Sequence, residues 1–203
     1  MSEDAPTTRA RRQVGPAALR ALAHPLRVRI IDTLAARGPL TASRLGELLA
    51  ESSGSTSYHL RQLEKHGFVR EVEGRGTARE RWWERTPGGF TVTSDEDDDV
   101  AARMASDLVN VEFERAREEK IMAFLRAGAL FDDEARRRWR DATTLTTITV
   151  RATPEELTAL VRAWEDFELE HVQPLMGRDD VPGGRAAQVH FNVFPIVDAD
   201  GQA

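Results

Sequence analysis

The sequence predicts a mainly α chain with a small β component. An N-terminal module of four helices and a β-hairpin precedes one long helix and a small C-terminal α+β unit. Three observations carry this prediction. Between residues 16 and 66, apolar residues recur at helical spacing in four blocks separated by Pro, Gly and Ser breaks. Two β-prone runs then flank Gly74-Arg75-Gly76. Charge divides the chain: residues 1–92 hold 15 basic and 10 acidic side chains, net +5, and residues 93–203 hold 13 and 24, net −11. Such asymmetry marks two parts with different roles.

The elements follow in order. Residues 1–14 have no apolar period and read as a flexible arm. The first helix begins near Pro16, with Leu19, Leu22 and Ala23 on one stripe. His24 is a cap and Pro25 suits the first position of the next helix, where a missing N–H costs nothing. Leu26, Ile30, Ile31 and Leu34 give that helix its face, and Gly38-Pro39 ends it. Thr41 caps a third helix over 41–50, which buries Leu45, Leu48 and Leu49. After a Ser52-Ser53-Gly54 turn, a fourth helix runs over 55–66 and buries Leu60 and Leu63. Lys65 and His66 favour its C-terminal dipole, and Gly67 allows the left-handed step beyond. Runs 68–73 and 78–85 form the hairpin, and Pro87-Gly88-Gly89 closes a module spanning 15–92.

The remainder, 93–203, opens with Ser94 and five consecutive acids. These read either as a solvated linker or as a capped helix start. A long helix over 98–127 carries two stripes: Val100, Met104, Leu108 and Val111 on one, Phe113, Ala116 and Phe124 on the other. Two stripes want two neighbours, one of which can be a symmetry mate. A shorter helix covers 132–142. A strand-helix-strand unit over 143–197 is expected. It comprises a β-branched strand at 143–151, a helix started by Thr153-Pro154-Glu155-Glu156 that buries Leu157, Leu160, Val161, Trp164 and Phe167, and a strand at 189–197.

Composition narrows the function. Cysteine is absent, which removes disulfides, thiolate nucleophiles and thiolate metal sites and fits a cytoplasmic protein. No apolar run approaches the ~18 residues of a membrane span, and the first residues lack the apolar stretch of a secretory signal. No Ser-His-Asp order, phosphate loop or paired carboxylates point to an enzyme, and no cofactor motif is present.

Four helices followed by a hairpin is the order of a winged helix-turn-helix. In this motif the second helix of the pair lies in the DNA major groove, its N-terminal residues facing base edges. Here that end reads Ser53, Gly54, Ser55, Thr56, Ser57, Tyr58 and His59, with Arg61 one turn on, where it can reach guanine or phosphate. Ser53 and Ser55 serve equally well as helix caps, and His59 either supports the helix or reads bases. Arg75, Thr77 and Arg79 place cations and a hydroxyl at the wing, suited to phosphate or the minor groove. Arg9, Arg11 and Arg12 are a solvated tail or a DNA-seeking arm. In 80–85, alternation sends Trp82 and Trp83 to opposite faces, one of them to the core.

The segments LRALAHPLRVRIIDTL, LTASRLGELL, SYHLRQLEKHGFVREVEGRG and RERWW, over about 16–86, resemble the ArsR-type winged-helix transcriptional regulators, in a larger subgroup with an appended C-terminal region. The resemblance implies a homodimeric repressor that reads an inverted repeat on double-stranded DNA. It implies DNA contact at Ser53, Ser57 and Tyr58, and dimerisation through the outer helices. It does not imply a metal: the third helix lacks the family's cysteines, the long helix lacks histidine, and Glu168-x-x-His171 stands alone. Trp139, Trp164, Phe167 and Phe191 are either the core of the C-terminal unit or a pocket for a small-molecule effector, core being preferred. Arg136, Arg137 and Arg138 read as a solvated face. A winged helix that contacts protein rather than DNA is the alternative reading, favoured by the overall charge of −6.

Overall fold

The computed structural model describes residues 12–77, 80–87, 90–91, 100–127, 133–178 and 181–197. The chain divides into two compact units, one ending at Ala142 and one comprising Thr143 onward.

The first unit is mostly helical, with a three-stranded antiparallel sheet. Helices α1 (Pro16–Leu22) and α2 (Pro25–Arg37) are split where expected. The His24 ring accepts the Leu26 N–H, a cap that fills one donor left open by the helix start. Helices α3 (Ala42–Leu49) and α4 (Ser53–Lys65) follow. A two-residue strand β2 (Leu40–Thr41) precedes α3 and pairs with β4 (Glu80–Arg85), which pairs in turn with β3 (Val69–Thr77). The wing register breaks between Glu71 and Gly76. Gly76 sits at φ +103°, and a Cβ there would lie 2.1 Å from the Glu80 carbonyl oxygen, so only glycine fits this crossing of the two strands. Trp83 is buried in the core and Trp82 lies half-buried on the opposite face, the division that alternation required.

The core joins Leu19, Leu22, Val28, Ile30, Leu45, Leu60, Leu63 and Phe68, all at most 2% exposed. Long helix α5 (Val100–Ala127) packs on α1 and α2. Its buried stripe is Ala102, Ala105, Ser106, Val109 and Ala116, with Phe113 beside it. The expected stripe of Val100, Met104, Leu108 and Val111, one of two for which a neighbour can be a symmetry mate, is 41–67% exposed in the single chain. Small residues let α5 approach closely where the larger stripe could not. The larger stripe is thereby left outward. Lys120 closes an ion pair with Asp32 of α2.

One boundary also changes. Arg12–Gln13 form strand β1, paired in parallel with β5 (Phe90–Thr91), and Val14 is buried. The arm therefore ends before residue 12, because Phe90 is anchored between Phe68 and Phe113 and offers an edge to pair with. Ser94 and the following acids lie outside the described residues. Helix α6 (Asp133–Arg140) matches the short helix expected over 132–142.

The second unit holds helix α7 (Pro154–Phe167), a π turn (Glu168–Val172) and a 3-10 turn (Gln173–Leu175). A capping box starts α7: Thr153 Oγ1 accepts the Glu156 N–H, and the Glu156 carboxylate accepts the Thr153 N–H. The expected strands at 143–151 and 189–197 are absent among the described residues. Residues 143–153 run without helix, turn or bend but pair with no ladder. β-branched side chains favour a straight backbone, whereas a strand exists only where a second strand takes its N–H and C=O groups. The expected burial also fails: Leu160, Val161 and Phe167 are exposed, and Leu157 and Trp164 are half-buried.

Candidate nucleic-acid interface

The helix-turn-helix is built on its turn. Ala50 ends α3 at φ +57°, Ser52 caps α4, and Ser52 Oγ accepts the Ser55 N–H at 3.1 Å. Neither Ser53 nor Ser55 is the cap, so α4 starts two residues before the expected Ser55 and both hydroxyls are released from that duty. Gly46 on α3 faces the turn so closely that a Cβ would lie 2.7 Å from the Glu51 carbonyl oxygen.

The N-terminal half of α4 separates the predicted residues into two groups. Ser53, Gly54, Tyr58 and Arg61 are exposed, Tyr58 at 54%, and Ser55 and Ser57 are half-buried. Gly54, Ser57, Tyr58 and Arg61 follow i, i+3, i+4, i+7 and share one face. No ion pair or hydrogen bond engages Arg61 among the described residues. Thr56 and His59 point the other way. Thr56 is fully buried and donates its hydroxyl to the Ala42 carbonyl at 2.7 Å, which locks α4 against the start of α3. That hydroxyl reaches no outside partner, and the expectation for Thr56 is corrected.

His59 is 8% exposed and belongs to a cluster the sequence did not disclose. Arg27 Nε donates to His59 Nδ1 at 3.1 Å, and Arg27 also holds the Ala21 carbonyl at the end of α1. The His24 ring centroid lies 4.4 Å from that of His59, and the Tyr58 ring meets His59 edge-on at 5.1 Å. Burial, then the neighbouring His24 and Arg27, hold the His59 imidazole below its usual pKa, with Glu51 opposing weakly. A neutral ring that accepts at Nδ1 is a support for the helix, not a reader. The only sequence signal was the adjacency of His24, Pro25 and Arg27, since the His59 partner lies 32 residues away.

On the wing, Arg75 is exposed and lies flat over the Trp82 ring, 3.8 Å from its centroid. Trp82 thus holds a guanidinium at the hairpin end, a role that alternation alone did not reveal. Two other wing cations are engaged: Arg70 pairs with Glu84 at 2.6 Å and Arg81 with Glu71 at 3.3 Å. Thr77 lies at the end of β3 next to the turn. Arg79, like Arg9 and Arg11, lies outside the described residues.

The four aromatic residues are divided between the two units. Trp139 belongs to the first unit. In the second, Phe191 stacks on Trp164 at 4.5 Å and 7°, Phe167 stacks on Trp164 from α7, and His171 meets Phe167 edge-on. The rings fill one another's faces. The concave surface of this unit is lined instead by Pro154, Glu155, Thr158, Ala159, Arg162 and Asp166. Glu168 is buried, whereas His171 is exposed and 3.8 Å from Glu170. Among the described residues no three His, Asp or Glu side chains gather as a metal site, and no helix is long and apolar enough to cross a membrane.

Comparison with known proteins places a helix-turn-helix domain at residues 22–72. No curated protein matches the chain. Among solved structures, the chain is similar to ZitR of Lactococcus lactis, described as a zinc-responsive MarR family member. Identity is 15%, over 68% of this chain and 74% of that one, with a TM-score of 0.30. Reduced HlyU of Vibrio cholerae is 20% identical over 47% of this chain and 87% of that one, TM-score 0.30. Transcriptional regulator Tm0710 of Thermotoga maritima is 16% identical over 75% and 87%, TM-score 0.32.

Proposed function

We propose that this chain is a sequence-specific, DNA-binding transcriptional regulator of the ArsR type, a homodimeric repressor that reads an inverted-repeat operator. One observation carries the reading: Gly54, Ser57, Tyr58 and Arg61 form an outward face at the N-terminal half of the second helix of a helix-turn-helix, with no carboxylate among them. Short polar side chains let the helix approach the groove floor, Tyr58 spans to a sugar-phosphate edge, and Arg61 supplies the cation that pairs with guanine or phosphate. Arg75, held on Trp82, extends the footprint to the backbone beside the groove. The outward Val100, Met104, Leu108 and Val111 stripe of α5 suits a second copy, which sets two recognition helices one DNA turn, ~34 Å, apart.

The test is selection of bound fragments from the source genome, followed by titration of the enriched site. An enriched inverted repeat bound by the wild type, and bound more weakly by Arg61→Ala, by about fivefold or more, supports the reading. Recovery without a shared sequence, or an Arg61→Ala variant that binds normally, overturns it.

The second reading, a winged helix for protein contact, is favoured by the wing itself. Glu71 and Glu84 neutralise Arg81 and Arg70, so two of its cations already have carboxylate partners. It predicts that Arg61→Ala and Arg75→Ala change nothing in DNA binding.

A further inference from the structure

We propose that Gly54 is the point of closest approach between α4 and double-stranded DNA: its Cα rests against the duplex, and no Cβ fits between them. The proposal rests on the regulator reading and deepens it. It names the position on the outward face where size, rather than charge or hydrogen bonding, sets affinity.

Gly54 stands where the fold does not ask for glycine. Two glycines lie inside helices among the described residues, Gly46 in α3 and Gly54 in α4. Gly46 is required, because a Cβ there would lie 2.7 Å from the Glu51 carbonyl oxygen. At Gly54, among the described residues, a Cβ would meet only Ser52 Oγ at 3.9 Å, an ordinary contact. The Gly54 φ is not positive, so a residue with a side chain takes the same backbone. Nor does the helix start need it: Ser52 is the cap, and its Oγ already accepts the Ser55 N–H. Glycine loses the most chain entropy on folding and ranks above only proline in helices. Alanine would therefore fold here at least as well. The chain bears a cost that its own contacts do not explain.

The explanation lies outside the chain, on this side of the helix. Gly54, Ser57, Tyr58 and Arg61 share the outward face at i, i+3, i+4, i+7. Side chains lengthen along that face away from the helix start: a hydrogen at Gly54, a hydroxymethyl at Ser57, then a phenol and a guanidinium at Tyr58 and Arg61. A helix that enters the major groove with its N-terminal end leading has least room at that end, and longer side chains span the widening gap behind it. Glycine is the residue that lets backbone come close to a ligand. Thr56, buried and bonded to the Ala42 carbonyl, fixes α4 on α3, so the leading end has no freedom to tilt away from an added methyl.

The test pairs stability with affinity in the full-length wild type, Gly54→Ala and Gly54→Val, using as probe the inverted repeat recovered by genomic selection. Gly54→Ala should raise Tm by ~1–4 °C, since it narrows the unfolded ensemble at a compatible backbone. The same variant should bind the repeat ~5- to 150-fold more weakly by fluorescence anisotropy, the penalty of forcing a methyl into filled space. Gly54→Val should bind more weakly still. A protein that is more stable and binds worse is a combination that a folding role does not produce. Binding by Gly54→Ala at the wild-type level overturns the proposal and leaves the regulator reading standing. A fall in Tm would give Gly54 a folding role and overturns it too. Alanine is the stronger helix former, so Val binding as well as Ala or better would make stiffening of the helix start the cause, against the proposal. A wild type that binds no inverted repeat overturns the regulator reading, and this proposal with it, before any variant is compared.

Discussion

At the residue scale, the two faces of α4 predict different phenotypes. Arg61→Ala removes an exposed, unengaged cation, so it should leave the fold intact and cost about 1–3 kcal/mol of operator binding, ~5- to 150-fold, read by fluorescence anisotropy. Thr56→Val does the opposite. It deletes a hydroxyl whose partner, the Ala42 carbonyl, is left buried, and should cost about 1–3 kcal/mol of stability in a denaturant titration. His59 makes stability depend on pH. Its imidazole is held below the usual 6.5 by burial and by His24 and Arg27. The unfolded chain therefore takes up protons before the folded one. Stability is full above ~6.5 and falls as pH drops from there through the folded pKa, where protonation removes the Nδ1 acceptor that Arg27 uses. His59→Asn keeps an acceptor near Nδ1 without titrating, so its melting temperature should change less between pH 7.5 and 5.5. An equal fall in both proteins would show that other groups set the acid limit.

At the element scale, the first unit was legible because its signals are local. Pro25, Thr41, Gly67 and the hairpin glycines each act within a few residues, and the α2, α3 and hairpin boundaries follow them closely. The misreadings came from signals that depend on a neighbour. Val100, Met104, Leu108 and Val111 are a better apolar stripe than Ala102, Ala105 and Val109 by composition. The alanines win because α1 and α2 lie close to α5. Likewise Ser52, not Ser53 or Ser55, caps α4, since any serine in the run has the chemistry and the turn geometry chooses. Of the candidate interface, Tyr58 and Arg61 were readable from helical spacing, while the Arg27–His59 bond and the Trp82 platform join residues that spacing does not relate. The turn gives a further prediction. Gly46→Ala gains up to ~1 kcal/mol in helix propensity, but its Cβ would meet the backbone of Glu51 at 2.7 Å. Because that carbonyl belongs to the turn itself, it has little room to yield. The expected balance is a loss of about 1–3 kcal/mol, several degrees in Tm by calorimetry. The exposed stripe is tested by Met104→Asp with Leu108→Asp. If it meets a second copy, dimer dissociation should rise by more than ~100-fold in sedimentation, from about 1.5 kcal/mol or more per side chain.

At the scale of the whole molecule, charge also divides between the two units. Residues 143–203 contain 4 basic and 10 acidic side chains, net −6, so residues 1–142 are neutral overall. The second unit thus carries the entire excess. A unit of that charge should repel nucleic acid and lower indiscriminate association. Removing residues 143–203 should raise non-specific DNA binding at ~50 mM salt, with the difference vanishing near ~0.3 M as screening shortens its reach. If the chain binds DNA as the proposed dimer, about eight phosphate contacts give a log–log salt slope of ~−7; a slope close to zero would contradict DNA binding through these cations. The same unit was the least legible part of the chain. Its β-branched runs predict a self-contained sheet, because composition records a preference for straight backbone and says nothing of the ladder partner that a strand needs.

The parallel pairing of Arg12–Gln13 with Phe90–Thr91 has a kinetic consequence. Two residues close a loop of nearly eighty, an unfavourable entropy for so few bonds. The α3–α4 pair and the hairpin, by contrast, join neighbours in sequence and can form early. The clasp is therefore expected to form last and open first, exchanging its amide hydrogens well before the core of α2 and α4 does. Because Phe90 also packs on Phe113 of α5, each opening of this clasp loosens one attachment of the long helix while α4 stays folded.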